Sequence, residues 1–288
     1  MLDFDDFLQS NAAFRKFEVD TLLFTAYDCP LEGSPVDYWV DRNYFCYVIR
    51  GGARWKTPRG DYILQVGDAA FLKNGAHRVF KILNGDFCAL LIFTPDDFIR
   101  SVMKDDIRMI DPPNKDTKED SVIPLQLNKR LHDYFNGVLH YFSEPQPPAK
   151  SLLQLKFKEL ILHLLTGGNN PLLTNYFIEL AKGGKKALKP IMEEHFIFHL
   201  KLTDFAKLSD RSLATFKRDF QKTFQMPPGK WLRNKRLEYS KYLLETTEFN
   251  IGEIAFKSGF ENTSHFIKVF KEKYNRPPLQ LKKALQIQ

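Results

Sequence analysis

Few residues in this chain are of types and spacings that do covalent or metal chemistry. His77 stands alone in the β-rich region, where a metal-binding barrel needs several histidines and a carboxylate converging; it is expected to cap a turn or lie exposed. His195 and His199 have i, i+4 spacing with Glu194 adjacent, yet not in the HExxH order of a zinc hydrolase, and a helix opening a C-terminal domain accounts for them equally well. Cys29, Cys46 and Cys88 are too few and too scattered for a disulfide framework or a CxxC site, and no basic or resolving partner is visible near any of them. They fit small buried side chains in a reducing compartment. The chain has no GxSxG, no phosphate-binding GxxxxGKS/T and no dinucleotide fingerprint after a strand. No catalytic residue, cofactor or metal is expected.

A second constellation is non-covalent. Phe216-x-Arg218-x-Phe220-x-x-x-Phe224-Gln-x-Pro227-Pro228 recurs fifty positions later as Phe266-x-Lys268-x-Phe270-x-x-x-Tyr274-Asn-x-Pro277-Pro278. Ser212 and Asn262, both preferred N-cap residues, open the two copies. A short helical stretch precedes each, Thr203 to Leu208 and Ile251 to Phe256, with Ala206 and Ala255 small where two helices must pack closely. A short helix, a tight turn and a second helix with apolar positions at i, i+4 and i+8 make a helix-turn-helix. The phenylalanines form its core. The outer face carries Ala214, Lys217 and Arg218 in the first copy and Ser264, His265 and Lys268 in the second. A helical repeat that binds protein would share the phenylalanine core, but solenoids usually need three or more copies, and here there are two with a basic, small-residue outer face. Trp231 to Leu244 reads as one long helix holding the units apart, so both can enter successive major grooves, roughly 34 Å apart.

These elements sit in an α+β chain of two domains. From Thr21 to Thr94, aromatic and β-branched runs (Leu22 to Tyr27, Tyr44 to Ile49, Ala69 to Leu72, Phe87 to Phe93) are separated by turn signals such as Gly51-Gly52, Val66-Gly67-Asp68 and Asn84-Gly85-Asp86. That spacing predicts an antiparallel β-barrel or sandwich. After Pro95 comes a polar loop, Asp111 to Asp120, then a helical hairpin of Gln126 to Phe142 and Ser151 to Leu165. The second of these helices is apolar around more than one face, so it is buried within the subunit or against a second one, and residues 121–180 are the candidate dimerisation segment. Lys182 to Ala187 reads as a flexible basic linker. The expected division is a regulatory domain over 1–180 and an all-α domain over 188–285.

The 288 residues carry a net charge of +7, unevenly spread: residues 181–288 hold 22 Lys/Arg against 11 Asp/Glu, leaving the front part at −4. A basic half joined to a mildly acidic one suits a nucleic-acid module attached to a second function. The longest apolar run is far short of a membrane span, and the acidic start lacks signal-peptide features, so a cytoplasmic location is expected.

Ala206…Ser212-x3-Phe-x-Arg218-x-Phe220, Arg236-Leu237…Leu243-Leu244 and Ile254-Ala255-x3-Gly259-Phe260-x3-Ser264-x-Phe266-x3-Phe270 resemble the AraC/XylS-type DNA-binding domain over about a hundred residues. The cupin-like front and the Gly60 to Arg78 stretch resemble AraC-type regulators, nearest the ExsA-like subgroup. The resemblance implies a transcription regulator whose partners are double-stranded DNA, RNA polymerase if it activates, a small-molecule effector or regulatory protein, and a second copy in a homodimer. It implies that Ala214, Lys217 and Arg218, then Ser264, His265 and Lys268, face DNA. The N-cap regions at Ser212 and at Asn262-Thr263 aim free amides at phosphates. The chain departs from the family where Gln225 and Asn275 stand in place of Gly. Gln tolerates a left-handed backbone poorly, so the first turn is expected to be shaped differently. Ser240 replaces the usual Ala, and Lys268 an Arg that would contact guanine bidentately. The alternative reading is a cupin-type enzyme or ligand-binding protein with a helical appendage.

Overall fold

The structure is a computed structural model that describes residues 1–12, 14–28, 35–81, 87–106 and 120–285. The Asn84-Gly85-Asp86 turn, nearly all of the 111–120 loop and Cys29 lie outside the described residues. Two compact units are found, Met1–Gly183 and Gly184–Gln288.

The first unit runs β1 (Leu2–Asp3), α1 (Phe4–Ser10), β2 (Lys16–Val19), β3 (Leu22–Asp28), β4 (Val36–Val40), β5 (Asn43–Arg50), β6 (Gly52–Lys56), β7 (Asp61–Gln65), β8 (Ala69–Leu72), β9 (Gly75–Lys81), β10 (Cys88–Thr94), α2 (Asp96–Asp106), β11 (Val122–Leu125), α3 (Lys129–Tyr141), α4 (Lys150–Thr166) and α5 (Pro171–Lys182). The strands form two sheets, β1-β4-β9-β6-β7 and β11-β8-β5-β10-β3-β2. Neither closes on itself, so of barrel and sandwich the fold is the sandwich. Neighbours are antiparallel except β1 and β4, because the two-residue β1 leads straight into α1.

The six-stranded sheet is covered on both faces, which is why its strands read as continuous apolar runs rather than alternation. In β10, Ile92 lies level with Phe24 of β3 and Phe45 of β5. With Phe71 of β8 these point toward the helices, where Leu131, Phe135, Phe157, Ile161 and Phe177 complete one core. The alternate residues Leu23, Tyr44, Leu72, Leu91 and Phe93 point the other way and meet Tyr38, Val40, Trp55 and Leu64 of the five-stranded sheet in a second core.

The helical layer is larger than the expected hairpin. α2 was not anticipated, although Phe98, Ile99, Val102 and Met103 make a helical stripe in it; Ile99, Val102 and Met103 are buried. The over-apolar α4 buries Leu153, Phe157, Leu160, Ile161, Leu164 and Leu165 within its own unit. At about 1.5–3 kcal/mol for each such side chain, packing inside the subunit accounts for most of that helix's apolar character. Leu152 and Leu155 remain 37% and 64% exposed.

The solitary His77 is buried rather than exposed. Its ring stacks on Tyr38 at 5.3 Å, and Nε2 lies 2.7 Å from the Lys73 carbonyl. Burial pulls its pKa down to about 4, so the ring is neutral and donates that bond. Cys88 does have a basic neighbour, 3.0 Å from Arg50 Nη2, because β5 and β10 pair there; its thiol also donates to Asp28 at 2.9 Å. Burial first, then Asp28, push the thiol up to about 11.

The second unit is helical: α6 (Leu188–His195), α7 (Leu202–Leu208), α8 (Leu213–Phe224), α9 (Pro228–Thr246), α10 (Ile251–Lys257), α11 (Thr263–Tyr274) and α12 (Pro278–Leu285). α6 ends at His195, so His195 and His199 do not share a helical face. His195 Nδ1 lies 2.9 Å from the Ile191 carbonyl, and His199 Nδ1 lies 3.5 Å from Glu261. No helix among the described residues is long and apolar enough to cross a membrane.

Candidate nucleic-acid interface

The fifty-residue repeat is a repeat of backbone as well as of sequence. α7 and α8 form one helix-turn-helix, and α10 and α11 form the other. In the turns, Arg211 N donates to Ala206 O and Phe260 N donates to Ala255 O, each at 2.9 Å. Ala206 and Ala255 are almost fully buried, as small residues at a close helix crossing should be. Asp210 and Gly259 take the left-handed conformation that reverses the chain. The second turn is one residue longer, and Glu261 is the extra residue.

Each second helix is started by its N-cap. Ser212 Oγ accepts from Thr215 N at 3.3 Å, and Asn262 Oδ1 accepts from His265 N at 2.9 Å. α10 adds a reciprocal capping box, in which Asn250 Oδ1 accepts from Glu253 N and Glu253 Oε2 accepts from Asn250 N. Each second helix also ends in the same way. Gln225 (φ 55°, ψ 24°) and Asn275 (φ 57°, ψ 11°) are both left-handed, so the first turn has the same shape as the second, contrary to expectation. The proline pair that follows each and the buried aromatic helix before it hold Gln225 in a conformation it disfavours.

The inner faces are locked. Phe216 and Phe220 are fully buried beside Phe205, and Phe266, Val269 and Phe270 pack against Leu237, Leu243, Leu244, Ile254, Ala255 and Phe260. α9 joins the two cores. Its Arg236 donates from Nε to Phe196 O at 2.7 Å and from Nη2 to Phe198 O at 2.8 Å, and it backs directly onto Gly259 of the second turn. Lys273 of α11 reaches back to Asn234 O and Glu238 of α9.

With the inner faces fixed, helical geometry assigns the outer ones. Ser212, Ala214, Lys217 and Arg218 are exposed on the first unit, as are Asn262, Thr263, Ser264, His265 and Lys268 on the second. Further exposed residues on the same faces are Gln221 and Lys222 on α8, and Ile267, Lys271 and Glu272 on α11. Gln221 lies seven residues after Ala214, and Lys271 seven after Ser264, so at 3.6 residues per turn each shares the centre of its face. The heptad offset is the sequence signal for both, beyond the first two turns of each helix. Arg218 is not an isolated cation, since its Nε lies 3.5 Å from Asp219 Oδ1. The same carboxylate takes Arg211 Nε at 3.1 Å and Lys185 at 3.4 Å. The Arg211 hydrogen bond, foremost, holds Asp219 below the usual carboxylate range.

Residues 43–176 match the family of the ExsA N-terminal regulatory domain, and residues 205–284 match the helix-turn-helix domain family. The chain is 23% identical over 235 residues to the virulence regulon transcriptional activator VirF of Yersinia enterocolitica, covering 81% of this chain and 86% of VirF. It is 23% identical over 244 residues to the HTH-type transcriptional regulator ExsA of Pseudomonas aeruginosa, covering 84% and 87%. Among solved structures, an apo ToxT variant from Vibrio cholerae aligns over 93% of this chain and 98% of that one, with 14% identity and a TM-score of 0.45.

Proposed function

This chain belongs to the AraC/XylS family of DNA-binding transcription regulators, and from that premise we propose how it divides the work of sensing and reading. Residues 188–285 read DNA and residues 1–180 regulate that reading. The first unit contacts the duplex through Ser212, Ala214, Lys217 and Arg218, and the second through Asn262, Thr263, Ser264, His265 and Lys268. The observation that supports this is the pair of matched backbones whose outward faces are polar and basic while their inner faces are filled. Lys217 takes a guanine edge or a phosphate, Ala214 a thymine methyl, and Arg218 the backbone. The two helix N-termini offer unbonded amides to phosphate. Where the protein activates, RNA polymerase is a further partner.

The proposed signal is a regulatory protein. The regulatory unit's second core is filled by contacting rings (Phe4, Tyr27, Tyr38, Tyr44 and Phe93 lie 5.0 to 6.2 Å from Phe4 or one another), so a partner meets its surface. One observation favours a small-molecule effector instead. A groove of about 460 Å³ between α2 and α4 is lined by the apolar Phe98, Val102 and Leu155 and the polar Ser101, Gln154 and Lys158. The exposed Leu152 and Leu155 support the α4 edge as the contact of a homodimer.

Selection from random duplexes with the full chain, followed by a salt series, tests the DNA reading. The expected motif spans two adjacent major grooves, and Lys217→Ala and Lys268→Ala relax opposite ends of it, each lowering the salt slope by about 0.9. A motif one groove wide, or one that both variants relax at the same end, would sink it.

A further inference from the structure

The two second helices have the same interior and different exteriors, and the largest difference falls at one position. Lys217 of α8 corresponds to Ile267 of α11. Ile267 is 38% exposed, on a helix that already buries Phe266, Val269 and Phe270 on its other side. It sits about 60° around the helix from Ser264 and about 40° from Lys271, at the flank of the outward face. A single exposed isoleucine is ordinary on a protein surface. Here the fold gives a reason to expect something else, since a β-branched residue is a poorer helix former than the lysine its sister copy uses. Nothing in the core of α11 needs its side chain.

An apolar side chain aimed at a major groove has one specific partner there. Cytosine, guanine and adenine present hydrogen-bonding edges, whereas thymine adds its C5-methyl group. We infer that Ile267 reads thymine methyl groups in the half-site taken by the second helix-turn-helix unit, making that unit an apolar reader beside a charged one. The inference rests on the DNA reading above and adds the base class at one end of the site. It also gives the asymmetry a consequence: at this matched position the second half-site is read through a methyl and the first through a guanine edge or a phosphate.

Deoxyuridine removes the thymine methyl and changes nothing else, which makes it the direct probe. The full-length protein is titrated against its selected duplex and against duplexes with each thymine singly replaced by deoxyuridine. At one or two positions, in the end of the motif that Lys217→Ala leaves intact, the wild type should lose about fourfold in affinity, the factor that matches about 0.8 kcal/mol for one buried methyl-sized group. Ile267→Ala should lose the same factor on the thymine duplex and nothing more on the deoxyuridine one. Ile267→Lys, which copies the sister helix, should also ignore the methyl, while steepening the salt slope by about 0.9. Wild-type indifference to deoxyuridine throughout that end overturns the inference, as does an undiminished deoxyuridine effect in either variant. A selection that enriches no duplex overturns it together with the DNA reading, so the two failures are distinguishable.

Discussion

Gly259→Ala should damage the second helix-turn-helix far more than one methyl group suggests. Gly259 has φ +90°, where an L side chain is strained by about 1–3 kcal/mol. The added Cβ would also fall 2.9 Å from Arg236 Nε and 2.9 Å from the Ile197 carbonyl oxygen. The carbonyl is backbone and cannot swing aside, so Arg236 must give way. That guanidinium holds the Phe196 and Phe198 carbonyls at 2.7 and 2.8 Å, and a hydrogen bond from a charged donor contributes about 1.5–3 kcal/mol. Strain plus one lost bond gives about 2.5–6 kcal/mol. On a helical unit of this size that lowers the thermal midpoint by about 10 °C or more. Circular dichroism of the full chain at 222 nm reads the transition, with Gly229→Ala as the control. Gly229 lies in α9 with nothing within 4 Å of an added Cβ, so that change should be neutral or stabilise by up to about 1 kcal/mol. A loss below about 1 kcal/mol for Gly259→Ala, or equal losses for the two variants, would refute the argument that Arg236 and Gly259 form one rigid junction.

Gln225→Gly should stabilise the second unit by about 0.5–1 kcal/mol by relieving a left-handed glutamine, while Asn275→Gly should do little, since asparagine tolerates that region; a higher urea midpoint for the first alone checks this. His77 keeps a neutral ring down to pH about 4 in the fold but titrates near 6.5 when unfolded, so the unfolded chain binds more protons between those values. Stability should therefore fall as pH drops from 6.5 toward 4, by about 1.4 kcal/mol per unit from this group, and His77→Gln should flatten the curve by that much; parallel curves would rule out the assignment. Cys88, held up to about 11 by burial and Asp28, should be alkylated by iodoacetamide at pH 7.5 about a hundredfold more slowly than an ordinary thiol, as read by peptide mass spectrometry, and Asp28→Asn should speed it.

The parts of this fold legible in the sequence are those where one local rule suffices. The phenylalanine repeat announces two helix-turn-helix units because a buried helical stripe and an N-cap are both local patterns. Strands β3, β5, β8 and β10 of the six-stranded sheet are legible in their β-branched and aromatic runs, whereas the four-residue edge strands β2 and β11 are not, nor is which residue faces which core, since both faces are apolar. The burial of His77 is not a local pattern, because it depends on Tyr38, which only the pairing of β4 with β9 brings beside the ring. The same holds for Arg50 and Cys88, 38 residues apart and adjacent across a strand pair. The left-handed Gln225 is the opposite case: a local residue preference of about 1 kcal/mol argues against it, while packing on both sides of the turn sets it.

The same rule explains why the two copies present different outer faces. Phe216 and Phe266, Phe220 and Phe270, and Ala206 and Ala255 are matched because each fills an equivalent place in a packed interior, where a change of one methylene group is felt. Gln225 and Asn275 differ in type yet share a backbone, because the interior dictates the turn. Ala214 and Ser264, Lys217 and Ile267, and Gln221 and Lys271 differ on an exposed face, where surface substitutions usually cost within about 0.5 kcal/mol. The same inner constraint that makes the repeat visible leaves its outer residues free to diverge. What the fold does not require at those positions is what the ligand can select. The outward pairs that differ most between the copies, Lys217 with Ile267 foremost, are therefore where the two half-sites should differ most in base preference.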